Sequence, residues 1–191
     1  DETTLVLFTS DNGAATGSSL PWRGKKGSIF GGGVREPCIM RWPGHIPAGT
    51  TCERIAGNID VLPTLAKIAG ADLPADRILD GRDITSLLFK PDAPAVRDTQ
   101  LYFHGFTLGA IRQGDWKLFL VSPTKGKAGA AAKKADEVPA LALFNLATDP
   151  AETTNVAAQH PDIVERLRAE ARAREQEINE HKRPAGEDSH A

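Results

Sequence analysis

Cysteine is scarce in this sequence of 191 residues: only Cys38 and Cys52 are present, in neither a Cys-x-x-Cys pair nor a Cys/His ligand spacing. That excludes a disulfide scaffold and gives no zinc-ligand pattern; the two thiols could pair or stay reduced, which leaves the redox compartment open. Aromatic residues are few, at 6%, and neither sign of charge dominates, with 23 Lys and Arg against 25 Asp and Glu. No global field favours a polyanion, so nucleic acid is not an expected partner and any anion must be held locally. Long apolar runs are absent as well. The run from Thr4 to Thr9 is far short of the roughly 20 residues a membrane span needs, so no span is expected. Nor does a basic and then apolar leader open the chain, which starts Asp1-Glu2-Thr3-Thr4.

What remains is an ordinary globular composition, 40% apolar and 25% charged, with 18 Gly and 13 Pro. A domain of this length buries on the order of 70% of the surface its unfolded chain exposes, enough for a core. Leu5-Val6-Leu7-Phe8-Thr9 is a continuous apolar run with a turn cluster behind it, the pattern of a strand buried on both faces of a parallel sheet. Ser10 to Gly33 is Gly-, Ser- and Lys-rich without periodicity and reads as a long loop. A second strand is expected over Val34 to Trp42, stopped by Pro43-Gly44.

A helix capped at Asn58 or Asp60 is expected to run to about Ala69, with Ile59, Leu62, Leu65, Ala66 and Ile68 on its apolar face and Gly70 at its end. A shorter helix starts near Asp83. After Pro94 the pattern changes to short runs at Gln100 to Phe103, Gly109 to Gln113, Trp116 to Val121 and Ala142 to Leu146, an antiparallel hairpin sheet. A mobile surface loop is expected near 123–139, centred on the low-complexity stretch Lys125 to Lys134. Pro161 to about Lys182 is the last helix, with Ile163, Val164, Leu167, Ala171 and Ile178 as a thin apolar stripe. The expected fold class is α/β, with residues 1–95 as one part and 96–191 as a second. Residues 1–90 supply one convincing buried strand, so that sheet is expected to lack most of its strands.

Two segments carry chemistry. Ser10-Asp11-Asn12-Gly13 stands at the carboxyl end of the first strand, where open α/β sheets bind ligands. Asp11 and Asn12 offer hard oxygen donors suited to Ca²⁺ or Mg²⁺, although Asp-Asn-Gly is also good turn chemistry. Trp22-Arg23-Gly24-Lys25-Lys26-Gly27-Ser28 sets lysines among glycines, which brings backbone and ammonium groups close to an oxyanion. A flexible basic loop is the plainer reading, and the spacing is not that of a P-loop.

These segments resemble the type I sulfatases, the arylsulfatase-like members of the alkaline phosphatase superfamily. The resemblance runs in order through Ser10-Asp11-Asn12-Gly13, Arg23 to Gly27, Gly32-Gly33-Val34-Arg35-Glu36-Pro37, Trp42-Pro43-Gly44 and Asp60-Val61-Leu62-Pro63-Thr64-Leu65. It continues through Leu79-Asp80-Gly81, Ile111 to Lys117, Leu143 to Leu146 and Asp149-Pro150-Ala151-Glu152-Thr153-Thr154-Asn155, covering nearly the whole chain.

The resemblance implies part of an alkaline phosphatase-like parallel or mixed sheet with helices, then a small antiparallel sheet packed with the terminal helix. It also implies S–O cleavage of a sulfate monoester by a formylglycine hydrate, with a sulfated small molecule or carbohydrate as partner. Asp11 and Asn12 become ligands of calcium, with magnesium as the other option, and Lys26 rather than Lys25 contacts the sulfate. The chain departs from the family in lacking Cys/Ser-x-Pro-x-Arg, the paired amino-terminal aspartates and the upstream histidine. It therefore reads as a carboxyl-terminal portion, inactive alone, whose Asp1 is a cut. Periplasmic or secreted location is the family expectation, and the oligomeric state is open.

Other residues are weighed separately. Trp22, in the active-site loop, is a candidate for substrate contact, and His104, at a strand end, for substrate selection. Arg35, Glu36 and Asp60 read as structural ion pairs or caps. A phosphodiesterase or phosphonate hydrolase of the same superfamily, or a non-catalytic anion-binding remnant, are the rival functions.

Overall fold

A computed structural model of the chain describes residues 2–122 and 138–182. The loop expected near 123–139 lies outside these except for Val138 and Pro139. Val6–Thr9 forms β1 and Cys38–Arg41 forms β2, paired antiparallel with Val6 opposite Arg41 and Thr9 opposite Cys38. The apolar run is a strand, as expected, but it is not buried on both faces. Phe8 is 61% exposed and Ile39, on its partner strand, 62%. The residues have the character of a covered strand, and among the described residues nothing covers them; the sheet to which β1 belongs is two-stranded and antiparallel.

The expected long loop ends in a helical turn, α1, at Gly31–Val34, which shortens the second strand from its amino end. Each glycine costs about 1 kcal/mol of helix propensity relative to alanine, so no local preference marks this turn. Tertiary packing makes it instead. A Cβ on Gly32 would stand 2.8 Å from the Arg23 carbonyl oxygen and nearer still to that of Gly24. A 3-10 turn at Asn58–Asp60 leads into α2, Val61–Ala69, which ends at Gly70 in the left-handed region with its N–H donating to Ala66 and Lys67 carbonyls.

That helix stands where expected, but its expected apolar face does not form the core. Ile59, Leu62 and Leu65 are exposed, and the buried positions are Pro63 and Thr64. The anchor is Asp60, wholly buried: it accepts the Gly57 and Arg82 N–H groups, each at 2.8 Å, and pairs with Arg97. Thr64 continues the network, donating to the Asp60 carbonyl at 2.6 Å and accepting the Ile84 N–H at 3.1 Å. Asp83 precedes the N-cap of α3, Thr85–Phe89, and accepts the Thr85 N–H at 2.8 Å.

The second sheet is an antiparallel meander of β3 (Thr99–His104), β4 (Thr107–Gln113), β5 (Trp116–Phe119) and β6 (Leu143–Asn145), in that order. Strand alternation divides it into two faces. The paired residues Ile111 and Leu118 look toward the long helix α4, Pro161–His181, where Val164, Leu167 and Ala171 complete one apolar cluster. Ala110 and Phe119, the next pair along, point the other way and pack with Phe144, Val138 and Ala142. That face is covered by Ile29 and Phe30 from the lysine-glycine loop. Each fully buried Leu or Phe contributes about 1.5–3 kcal/mol, so both clusters are substantial. The loop is therefore part of the core.

Candidate functional site

Ser10 to Gly13 leave β1 in a tight turn, with the Ser10 hydroxyl donating to the Asn12 carbonyl at 2.9 Å. The Gly13 N–H then donates to the Gly33 carbonyl at 2.9 Å, with no room between these backbones for a side chain. Opposite this turn the loop from Trp22 to Ser28 is folded by its own backbone. Gly32 N–H donates to Arg23 O at 2.7 Å, Ser28 N–H to Lys25 O at 3.0 Å and Lys26 N–H to Ala14 O at 3.1 Å. Gly24 and Gly27 flank the two lysines at φ 84 and 87, values at which a side chain is strained. These constraints bring the Lys26 backbone against Ala14, which follows the Ser10–Gly13 turn.

The two lysines are not equivalent. Both are exposed, but the Lys25 ammonium donates to the Gly17 carbonyl at 2.8 Å, and among the described residues no hydrogen bond of the Lys26 side chain is found. Trp22 is half-buried with the Arg35 guanidinium 5.0 Å from its ring centroid. Between turn and loop lies a concavity of about 390 Å³ lined by Ser10, Asn12, Gly13, Ser19, Trp22 and Arg35, among others. That volume falls within the range of small-ligand sites, about 300–1,000 Å³. Lys26 and Asp11 stand outside its lining. His104 is exposed at the end of β3, opposite Thr107, and among the described residues no hydrogen bond or ion pair joins it to the turn or the concavity.

Two carboxylates meet near the turn. Burial pushes the Glu36 carboxyl up from its ordinary value, and the negative charge of Asp11 pushes it further. Asn58 donates to Glu36 at 3.4 Å and to the Ser10 carbonyl at 3.1 Å, which fixes that carboxylate near the turn. The donors of Asp11 and Asn12 match calcium in kind, but calcium takes about 6–8 oxygens. Among the described residues no group of three or more His, Cys, Asp or Glu side chains is placed to hold a metal.

One pair escaped the sequence reading. Lys117 and Glu152 form an ion pair at 2.6 Å with side chains 2% and 1% exposed. In the alternating run Trp116-Lys117-Leu118 the lysine reads as a solvent-facing residue, and nothing in the local pattern marks Glu152 as its partner. Burial lowers the Lys117 pKa, and the Glu152 carboxylate partly restores it.

Comparison with known proteins sets this geometry in a family. The family model described as N-sulphoglucosamine sulphohydrolase, C-terminal, matches residues 23–177. Steryl-sulfatase of Mus musculus is 33% identical over 201 residues, covering 89% of this chain and 32% of that protein. Arylsulfatase A of Homo sapiens is 36% identical over 196 residues, covering 87% of this chain and 37% of that protein. Among solved structures, the PsFucS1 sulfatase from Pseudoalteromonas sp. matches with a TM-score of 0.81 at 26% identity, over 96% of this chain and 39% of the other. The chain thus spans about a third of the length of these curated relatives. Its motifs, its α/β fold with an antiparallel sheet and terminal helix, and a match over most of its length all agree: this chain belongs to the sulfatases, as a carboxyl-terminal portion.

Proposed function

We propose that the chain carries the metal- and sulfate-binding edge of a sulfuric ester hydrolase, and that a segment outside these 191 residues supplies the nucleophile. The observation that carries this reading is the bond from Lys26 N–H to the Ala14 carbonyl, which seats an exposed lysine next to the residues that follow the Asp11–Asn12 turn. Lys25 is the poorer candidate, because its ammonium already serves Gly17.

In this reading the Lys26 ammonium offsets charge on the sulfate oxygens, a preorganised electrostatic role. Asp11 and Asn12 hold a calcium ion, with magnesium as the alternative, which when bound supplies fixed positive charge to those oxygens. Trp22 presents its ring to the organic part of a sulfated small molecule or sugar. His104 selects substrate from the hairpin side. The nucleophile is a formylglycine hydrate on the missing segment, so the isolated chain turns over nothing. A periplasmic or secreted setting fits such a substrate.

Calorimetric titration of inorganic sulfate, with and without calcium, tests the reading. Wild-type chain is expected to bind at millimolar ligand, Lys26→Ala to bind about tenfold more weakly, and Lys25→Ala to bind nearly as wild type, since the Lys25 ammonium is turned to the Gly17 carbonyl. Absence of binding by the wild type, or equal losses in the two variants, refutes the sulfate role of Lys26. Turnover of an aryl sulfate by the purified chain refutes the external nucleophile.

A further inference from the structure

Lys117 and Glu152 have no part in the chemistry proposed above, yet they are among the most deeply buried charged residues described. Stability is a weak explanation for them. Each buried ion carries a desolvation penalty of several kcal/mol, and replacing such a pair by well-packed apolar residues is often neutral or stabilising. Glu152 also holds a φ of 55, in the left-handed region that costs a residue with a side chain about 1 kcal/mol. The surrounding contacts over-determine that conformation.

Those contacts share one destination. The Lys117 ammonium donates to the Ile29 carbonyl at 2.6 Å. The second carboxylate oxygen of Glu152 accepts the Gly31 N–H at 2.6 Å, and its backbone carbonyl accepts the Arg23 guanidinium at 3.1 Å. All three land on the segment from Arg23 to Gly31. From there a continuous backbone chain leads to the site: Gly32 to Arg23 at 2.7 Å, Gly13 to Gly33 at 2.9 Å and Lys26 to Ala14 at 3.1 Å. Gly32 and Gly33, which follow Gly31, leave no space for a side chain against the backbone of Arg23, Gly24, Lys25 and Ser28, so a shift at Gly31 passes to the loop that carries Lys26.

We propose that the buried Lys117–Glu152 pair is a positioning device that fixes the lysine-glycine loop, and with it Lys26, relative to the Asp11–Asn12 turn. The sulfate consequence rests on the role proposed for Lys26; the loop geometry does not. The pair works from the meander, so the small sheet sets the shape of an anion site to which it contributes no reacting group.

The test compares the wild-type chain with Lys117→Met/Glu152→Leu, which removes the hydrogen bonds of these two side chains to Ile29 and Gly31 without leaving either charge of the pair buried alone. The readouts are residue-resolved amide exchange and sulfate titration. Exchange at Lys26, Gly31, Gly32 and Gly13 is expected to quicken about tenfold or more and sulfate affinity to fall about tenfold, while Ala110, Ile111, Leu118 and Phe119 keep wild-type protection. Unchanged loop exchange, or loop and sheet amides quickening together, overturns the proposal. If the apolar pair does not fold, Lys117→Met/Glu152→Gln, which keeps an acceptor for Gly31, replaces it: loop quickening above that of the sheet upholds the device, and uniform quickening overturns it. A wild type that binds no sulfate refutes the role of Lys26 and leaves the exchange comparison to decide the tether.

Discussion

Two glycine-to-alanine substitutions should move stability in opposite directions, and the difference isolates the packing of the site loop. At Gly57 the backbone is extended, with φ −152, and an added Cβ would find its nearest neighbour, a flexible Ile59 carbon, at 3.8 Å. Nothing is strained, so Gly57→Ala mainly removes freedom from the unfolded chain and should stabilise by about 0.4–1 kcal/mol. At Gly32 the same gain exists, and alanine also favours the helical turn. The new Cβ, however, stands 2.8 Å from both the Arg23 carbonyl oxygen and the Ser19 Cβ, and closer to the Gly24 oxygen. Real contacts are essentially never under 3.0 Å, and two of these neighbours are backbone that cannot rotate away. The loop must retreat and weaken the Gly32 to Arg23 bond, at 2.7 Å one of the shortest in the loop. Overpacking of this kind costs about 1–3 kcal/mol, which outweighs the gain. Urea denaturation followed by circular dichroism reads both variants; with a slope of about 2 kcal/mol per molar urea, midpoints should separate by roughly 1 M. A Gly32→Ala protein as stable as Gly57→Ala would refute the close approach of turn and loop.

Asp60→Asn keeps the shape of the side chain but leaves the buried Arg97 unpaired and sets an amide against the Gly57 or Arg82 N–H. A loss of about 3–5 kcal/mol is expected in the same urea assay, and a loss under about 1 kcal/mol would show that the network is dispensable. The Cys38 thiol is pushed above its ordinary value by burial first and by the Glu36 charge second. Thiolate is the reacting form, so iodoacetamide labelling of Cys38 at pH 8, followed by mass spectrometry, should quicken in Glu36→Gln; an unchanged rate would discount the contribution of Glu36.

Local chemistry was legible in the residues wherever it is self-contained. The meander could be placed strand by strand because β4 and β5 alternate, and Gly70 marked the end of α2 because a left-handed closing residue is a local requirement. Asp60 was readable as a cap or ion pair, and it is both. The apolar runs misled where burial was inferred from residue type alone: Phe8, Leu62 and Leu65 have core chemistry but lie open among the described residues. The helical turn at Gly31–Val34 could not be seen, since three of its four residues oppose helix and it is held by tertiary contacts with Gly13, Arg23, Gly24 and Glu152. Lys117 was hidden by a rule that is usually right, namely that a lysine in an alternating strand faces water.

The placement of Ile29 and Phe30 explains why the candidate site and the small sheet cannot be treated as separate modules. The meander has two apolar faces, and α4 satisfies only one of them. The other would expose Ala110, Phe119 and Phe144 unless the two residues that follow Ser28 lay on it. Phe30 packs against Phe119 at a tilt of 43°, 5.0 Å between ring centroids, and the Arg23 guanidinium, from the same loop, lies 4.4 Å from the Phe30 ring centroid. Hydrophobic burial draws the loop onto the sheet without fixing its angle, because apolar contact is not directional. Hydrogen bonds are directional, and those from Lys117 to Ile29 and from Gly31 to Glu152 bracket Phe30 on either side. The apolar pair therefore holds the loop down while the charged pair sets its register, and Lys26 inherits its position from both.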